Sequence, residues 1–312
     1  MSAQEAQEIA YLGLALFQNF ARAILSCTFL GIYCLLFAIG LYISFHKRFT
    51  GWAKKILLCL LIATFILTVL YVMGNLLVDM LLLQYEVILP LPEGFTAEMT
   101  AISQPLLEVG AQISSWASSL IYLIGDLIVI WRAWVVWTHS KIVKLFLAFF
   151  VLVVIGINLA DASVDNQKQL TVSGQTVILD CVFFALSLSV NVTLTLLIAY
   201  RTWMYHRSWD GIVILRGKTF VGRILLLFVE SGAILAIFQV LALTFQELDR
   251  SAQNLSPLQF AKLNISEIYV YVAALNPLAI FILMEIRRQT TYSYSSCFEQ
   301  NGSQELTTFL EC

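Results

Sequence analysis

The sequence predicts an all-α, polytopic membrane protein of seven transmembrane helices, with the N-terminus outside and the C-terminus cytoplasmic. Three observations carry this reading. The 312 residues are 60% hydrophobic and 12% charged, against roughly 25% charged in a soluble domain. Seven apolar stretches each reach the roughly 20 residues that a helix needs to cross the hydrocarbon core. The basic residues gather in alternate connections, the pattern that sets orientation in a bilayer.

The spans are expected near 22–45, 56–82, 113–137, 142–163, 177–200, 221–245 and 266–286. A short outer segment, 1–21, precedes the bundle at 22–288, and a cytoplasmic tail, 289–312, follows it. Breaks such as His46–Thr50, Leu89–Thr100 and Asp161–Gln175 separate the helices. The first 21 residues hold Glu5 and Glu8 and no lysine or arginine, the wrong sign for a secretory signal. Insertion is therefore expected to be driven by the first helix.

Fourteen of the 18 basic residues follow the first, third, fifth and seventh helices or close their ends. They include Lys47, Lys54, Arg132, Lys141, Arg201, Arg223 and Arg287. The opposite connections hold Arg22, Lys168, Arg250 and Lys262 among many acids. Six of the seven tryptophans, Trp134 among them, fall at the same inferred cytoplasmic boundary, as an interfacial belt does. The sequons at Asn254 and Asn264 fall outside and are the glycosylation candidates.

Polar residues inside such spans are expensive and need partners. Counting 1.5 Å per residue from the basic residue that closes each helix, Asp126 lies about 9 Å deep and Glu230 about 10 Å. Asn191 and Asn276 come out at about 15–17 Å. These four form an expected inner polar layer or switch, each with a structural reading beside the functional one. Asp126 and Arg132 are about 120° apart around their helix, so they are not expected to pair. The stripe Ala111, Ser115, Ser119, Tyr122, Asp126 is expected to face the bundle. Arg132, Trp134, Arg201 and Arg223 are read as cytoplasmic coupling or anchoring residues, with Arg132 and Arg223 snorkelling to headgroups. Nearer the outside, Asn75, Asp79, Trp116, Asn158, Gln239 and Tyr269 either line a ligand pocket or mark hydrated helix ends. Pro277, after Asn276, is a bend or a hinge.

The three histidines are all at cytoplasmic positions and no HExxH occurs, so no metal site is expected. No P-loop or dinucleotide fingerprint is present, and no cofactor, enzymatic activity or nucleic-acid partner is expected. Lys262 stands at the outer edge of the last span, which excludes a retinal Schiff base.

The seven-span plan resembles that of G-protein-coupled receptors, and Asn276-Pro277 looks like part of the Asn-Pro-x-x-Tyr of the rhodopsin-like class. That likeness covers topology rather than sequence. Three stretches carry a closer one: Gly125-Asp126…Trp131-Arg132-Ala133-Trp134, Arg201-Thr202-Trp203…His206-Arg207, and Gly217-Lys218-Thr219…Arg223…Glu230-Ser231-Gly232. In this order they resemble a family of uncharacterised seven-helix membrane proteins from mushroom-forming fungi, over roughly residues 20–290. The resemblance implies an integral membrane location and no established activity.

The expectation is a receptor-like sensor in the plasma membrane. It would take an extracellular small molecule or peptide and reach a cytoplasmic signalling protein through helices three, five and six. A proton- or cation-coupled transporter using Asp126 and Glu230 is the alternative. A membrane-organising or lipid-binding protein is a third reading. The lipid bilayer is a partner in all three.

Overall fold

The computed structural model describes residues 3–45, 52–84, 96–137, 140–168, 175–207, 217–250 and 256–310. They form seven helices: α1 (Ala3–Phe45), α2 (Trp52–Leu83), α3 (Thr96–Val136), α4 (Lys141–Lys168), α5 (Gln175–Arg207), α6 (Gly217–Asp249) and α7 (Pro257–Leu310). Each contains a stretch long and apolar enough to cross a membrane. Backbone groups in hydrocarbon must bond within their own segment, which is why such runs fold as unbroken helices. α1 and α3 begin well before the apolar runs expected for them, and α7 continues through the segment read as a tail.

Neighbours in sequence pack side by side from α1 to α7, and α7 returns against α1. α3 also packs against α5 and α7, which places it inside the ring. In the 18-residue apolar window of each span, half of α3 and 61% of α7 is buried, against 17–33% in the other five. These two helices are the core around which the others present one face to protein and one to lipid.

The expected stripe of α3 does face the bundle, with Ser119 and Asp126 buried, and a second buried row runs beside it. Gly110, Ser114, Ala117, Ile121, Gly125, Ile128 and Arg132 are all buried, at the three- and four-residue spacing of a packing seam. Ala111, Ser115 and Tyr122 lie at its flank, partly buried. Small residues on that seam let backbones approach closely. A methyl group added at Gly74 of α2 would stand 2.8 Å from the Gly110 carbonyl oxygen of α3. α6 is registered in the same way by Leu225, Phe228, Gly232, Leu235, Gln239, Ala242 and Gln246.

Candidate functional site

The registers of α3, α5, α6 and α7 bring five polar side chains together in the middle of the bundle. Ser187 of α5 places its hydroxyl 2.9 Å from both carboxylate oxygens of Asp126. Gln239 of α6 donates from Nε2 to Ser187 Oγ at 2.9 Å and to the Tyr269 hydroxyl of α7 at 3.2 Å. Asn191, one turn beyond Ser187, donates to Gln239 Oε1 at 2.9 Å and to the Gly232 carbonyl at 3.2 Å. Tyr269 stacks on Tyr122 of α3, ring centroids 4.8 Å apart. Gln239 is 0% exposed and uses both ends of its amide, so it is the hub that joins the four helices.

Arg132 lies on the same α3 seam, six residues from Asp126 toward the end of the bundle that gathers the basic residues, the basic end. It is not an interfacial anchor: it is 1% exposed. Nη1 donates to Ser231 Oγ of α6 at 2.8 Å, and the guanidinium rests over the Phe228 ring at 5.6 Å. Nε and Nη2 have no hydrogen-bond partner. The seam explains the correction, because Gly125, Ile128 and Arg132 share one inward face. A long cationic residue near a helix end snorkels only if its register points outward.

Burial of Arg132 also corrects the depth scale. Arg132 contacts Ser231, which lies eight residues into α6 beyond Arg223, about 12 Å from that basic residue. Asp126 therefore sits level with Gln239 rather than with Glu230. Glu230 is exposed and does not join the inner layer. Nine residues separate it from Gln239, which is half a revolution around the helix. Asn276 is partly buried, with its amide nitrogen unpartnered, and it stands apart from the network. Pro277 is buried inside a continuous α7. It lacks the N–H that would serve Ala273, and that carbonyl faces Gly125 of α3.

The six residues expected around one outer pocket are dispersed. Gln239 and Tyr269 belong to the core network. Asp79 pairs with Arg22 of α1 at 2.9 Å and lines a cleft of about 370 Å³ between α1 and α2. Asn75 lies one turn before it, partly buried. Trp116 lines an outward groove of about 650 Å³ between α2 and α3, with Leu67, Leu70 and Ile113. Asn158 is buried in α4 and lines a cleft of about 210 Å³ with Asp126 and Ser187.

At the basic end, Arg201 lies over Trp137 at 5.4 Å and Lys144 over the exposed Trp134 at 5.8 Å. These cation–π contacts suit side chains at a water–lipid boundary. Arg223 is in α6, and its side chain lies outside the described residues. Asn254 also lies outside them. Asn264 sits within α7 rather than in a loop, its amide donating to the Phe260 carbonyl at 2.7 Å.

A second buried cluster was missed in the sequence. Glu267 of α7 is 2% exposed and accepts from the Tyr71 hydroxyl of α2 at 2.7 Å. Tyr271, one turn on, donates to the Ser26 carbonyl of α1 at 2.8 Å. In the sequence Glu267 opens its apolar run, a position where an acid reads as a hydrated helix end. The signal was its spacing: Glu267, Tyr271 and Leu278 fall on the α7 face that turns inward.

No group of three or more His, Cys, Asp or Glu side chains able to hold a metal occurs among the described residues. Fold and core together are those of a multi-pass, seven-helix membrane protein whose interior carries a hydrogen-bonded polar network. No protein-family model, curated protein or solved structure matches the chain.

Proposed function

We propose that this chain is a receptor-like sensor of the plasma membrane, oriented with its N-terminus outside and its basic end toward a cytoplasmic signalling protein. One observation carries the reading. Asp126, Ser187, Gln239 and Tyr269 tie α3, α5, α6 and α7 at mid-bundle, while Arg132 holds α6 lower down through one hydrogen bond to Ser231. A multiply bonded contact among four helices, with a poorly satisfied contact nearer one end, suits a bundle in which a small change at the centre shifts packed helices against one another. No catalytic role is assigned to any of these groups.

The transporter reading relied on Asp126 and Glu230 acting as paired acids at one depth. Glu230 faces away from Asp126, so the sensor reading is favoured. Two measurements test it. A G-protein α subunit should co-purify with the chain from host membranes and be released by a non-hydrolysable guanine nucleotide. In proteoliposomes loaded with a pH-sensitive dye, an imposed potential should drive no proton flux that Asp126→Asn abolishes. Asp126-dependent flux, or consistent failure to recover any α subunit, would overturn the proposal.

A further inference from the structure

We propose that the cleft between α3, α4 and α5 binds the donor head group, a hydroxyl or a primary amine, of an apolar molecule arriving from the bilayer. The inference rests on the sensor reading and names the class of molecule sensed.

The floor of the cleft is polar and its walls are not. Asp126, Asn158 and Ser187 lie among Val153, Val154, Ile157, Phe183, Leu186 and Val190. Asn158, 4% exposed, donates one of its two amide N–H groups to the Val154 carbonyl at 2.8 Å. Its carbonyl oxygen is left with no partner. Ser187 has a single proton, directed at the Asp126 carboxylate, and already accepts from Gln239. That proton serves one oxygen at a time, and a carboxylate offers about four lone-pair sites. The floor is thus a set of buried acceptors short of donors, and such groups are costly when unmet. A complementary ligand brings N–H or O–H and nothing anionic.

Size and access define the rest of the molecule. The enclosed part of the cleft has room for little more than one water-sized group, far less than a pocket that encloses a whole small molecule. It takes the head, and the body remains outside. Val153, Ile157 and Leu186 on the walls are only partly buried. Beside them Leu152 is 71% and Val182 42% exposed, so the cleft opens onto the apolar outer surface. A body lying there is solvated by lipid tails. A donor bound at the floor touches Asp126 and Ser187, the first two members of the chain that runs to Gln239 and Tyr269.

The test uses the full chain in nanodiscs of dioleoylphosphatidylcholine. Dodecyl probes carry a mid-chain photoreactive diazirine and end in an amine, a hydroxyl, a carboxylate or a plain methyl. The amine or hydroxyl probe should label peptides of α4 and α5 about tenfold more than the methyl-ended probe, the discrimination expected of a hydrogen bond to a buried acceptor. The carboxylate probe should not. Asn158→Leu keeps the volume and removes the unmet acceptor, and it should erase most of the preference. Asp126→Asn, which fills the floor with its own donor, should reduce it independently should the first variant fold poorly. The difference between amine and hydroxyl labelling identifies the head group. Equal labelling by the methyl-ended probe, or a preference unchanged in both variants, overturns the proposal. No signalling partner enters the experiment, so its failure is separate from failure of co-purification.

Discussion

Arg132 of α3 donates to Ser231 of α6 across 2.8 Å, and the same hydroxyl donates to the Phe228 carbonyl at 3.1 Å. The remaining donors, Nε and Nη2, form the edge of a guanidinium that matches a carboxylate in two parallel bonds. That edge is unfilled inside the bundle.

Replacing Arg132 with Met should therefore leave stability unchanged or raise it, by up to about 3 kcal/mol, because an unpaired buried cation gives way to a packed apolar chain. Thermal unfolding in detergent measures this. A loss of about 2 kcal/mol or more would show that the guanidinium has acceptors that hold it well. The same variant should lose nucleotide-sensitive co-purification.

Ser231→Ala should act in the opposite direction. It strips the last acceptor from Arg132, and hydrogen bonds to charged groups contribute about 1.5–3 kcal/mol. Introduced into the Arg132→Met background it should be nearly silent. A double-mutant cycle on unfolding free energies reads the coupling, and additivity of the two changes would refute the pairing.

At the centre, Gln239→Leu should destabilise more than Asn191→Leu. The first leaves the Asn191 amide without its Gln239 partner and removes the donors to Ser187 and Tyr269. Stranded buried groups cost about 1–3 kcal/mol, with the lower end expected in a membrane. Equal losses for both variants would show that Gln239 is not the hub.

Glu230→Leu should leave stability unchanged or raise it, because the residue faces outward within a spanning segment, where an acid is costly and an apolar side chain is not, and it should leave the proposed signalling intact. Its carboxylate is exposed on the far side of α6 from Gln239. A loss comparable to that of Gln239→Leu would return Glu230 to the interior.

Between α2 and α3, Gly74→Ala should cost about 1–3 kcal/mol, the usual range for overpacking. The added methyl would meet the Gly110 carbonyl and the Ser114 nitrogen, at 2.8 and 3.0 Å, and both are backbone atoms. Gly156→Ala is the control, since nothing lies within 4 Å of that position. Equal melting of the two variants would show that the α2–α3 approach is looser than described.

Part of the site was legible in the chain. Asp126 and Asn191 stand out as polar groups in apolar runs, and both join the network. Gln239 and Tyr269 also stood out, and their role changed from pocket lining to core. Arg132 was legible in principle, because Gly125, Ile128 and Arg132 continue the buried spacing of Ala117 and Ile121. Nearness to a helix end points the other way, toward snorkelling, and the depth of Asp126 counted from Arg132 is displaced with it. Glu230 shows the other limit: a shared depth says nothing about which way a side chain points.

The sequence by itself determined that seven apolar helices form, because hydrocarbon admits few other ways to satisfy a spanning backbone. It also marked which residues would be costly there. Only the tertiary structure decided which of them meet. Helix register sets direction and the packing of α3 among its neighbours sets level, and both depend on side chains far apart in sequence. Asp126, Ser187, Gln239 and Tyr269 come from four helices, and their contact is fixed by how those helices rotate against one another.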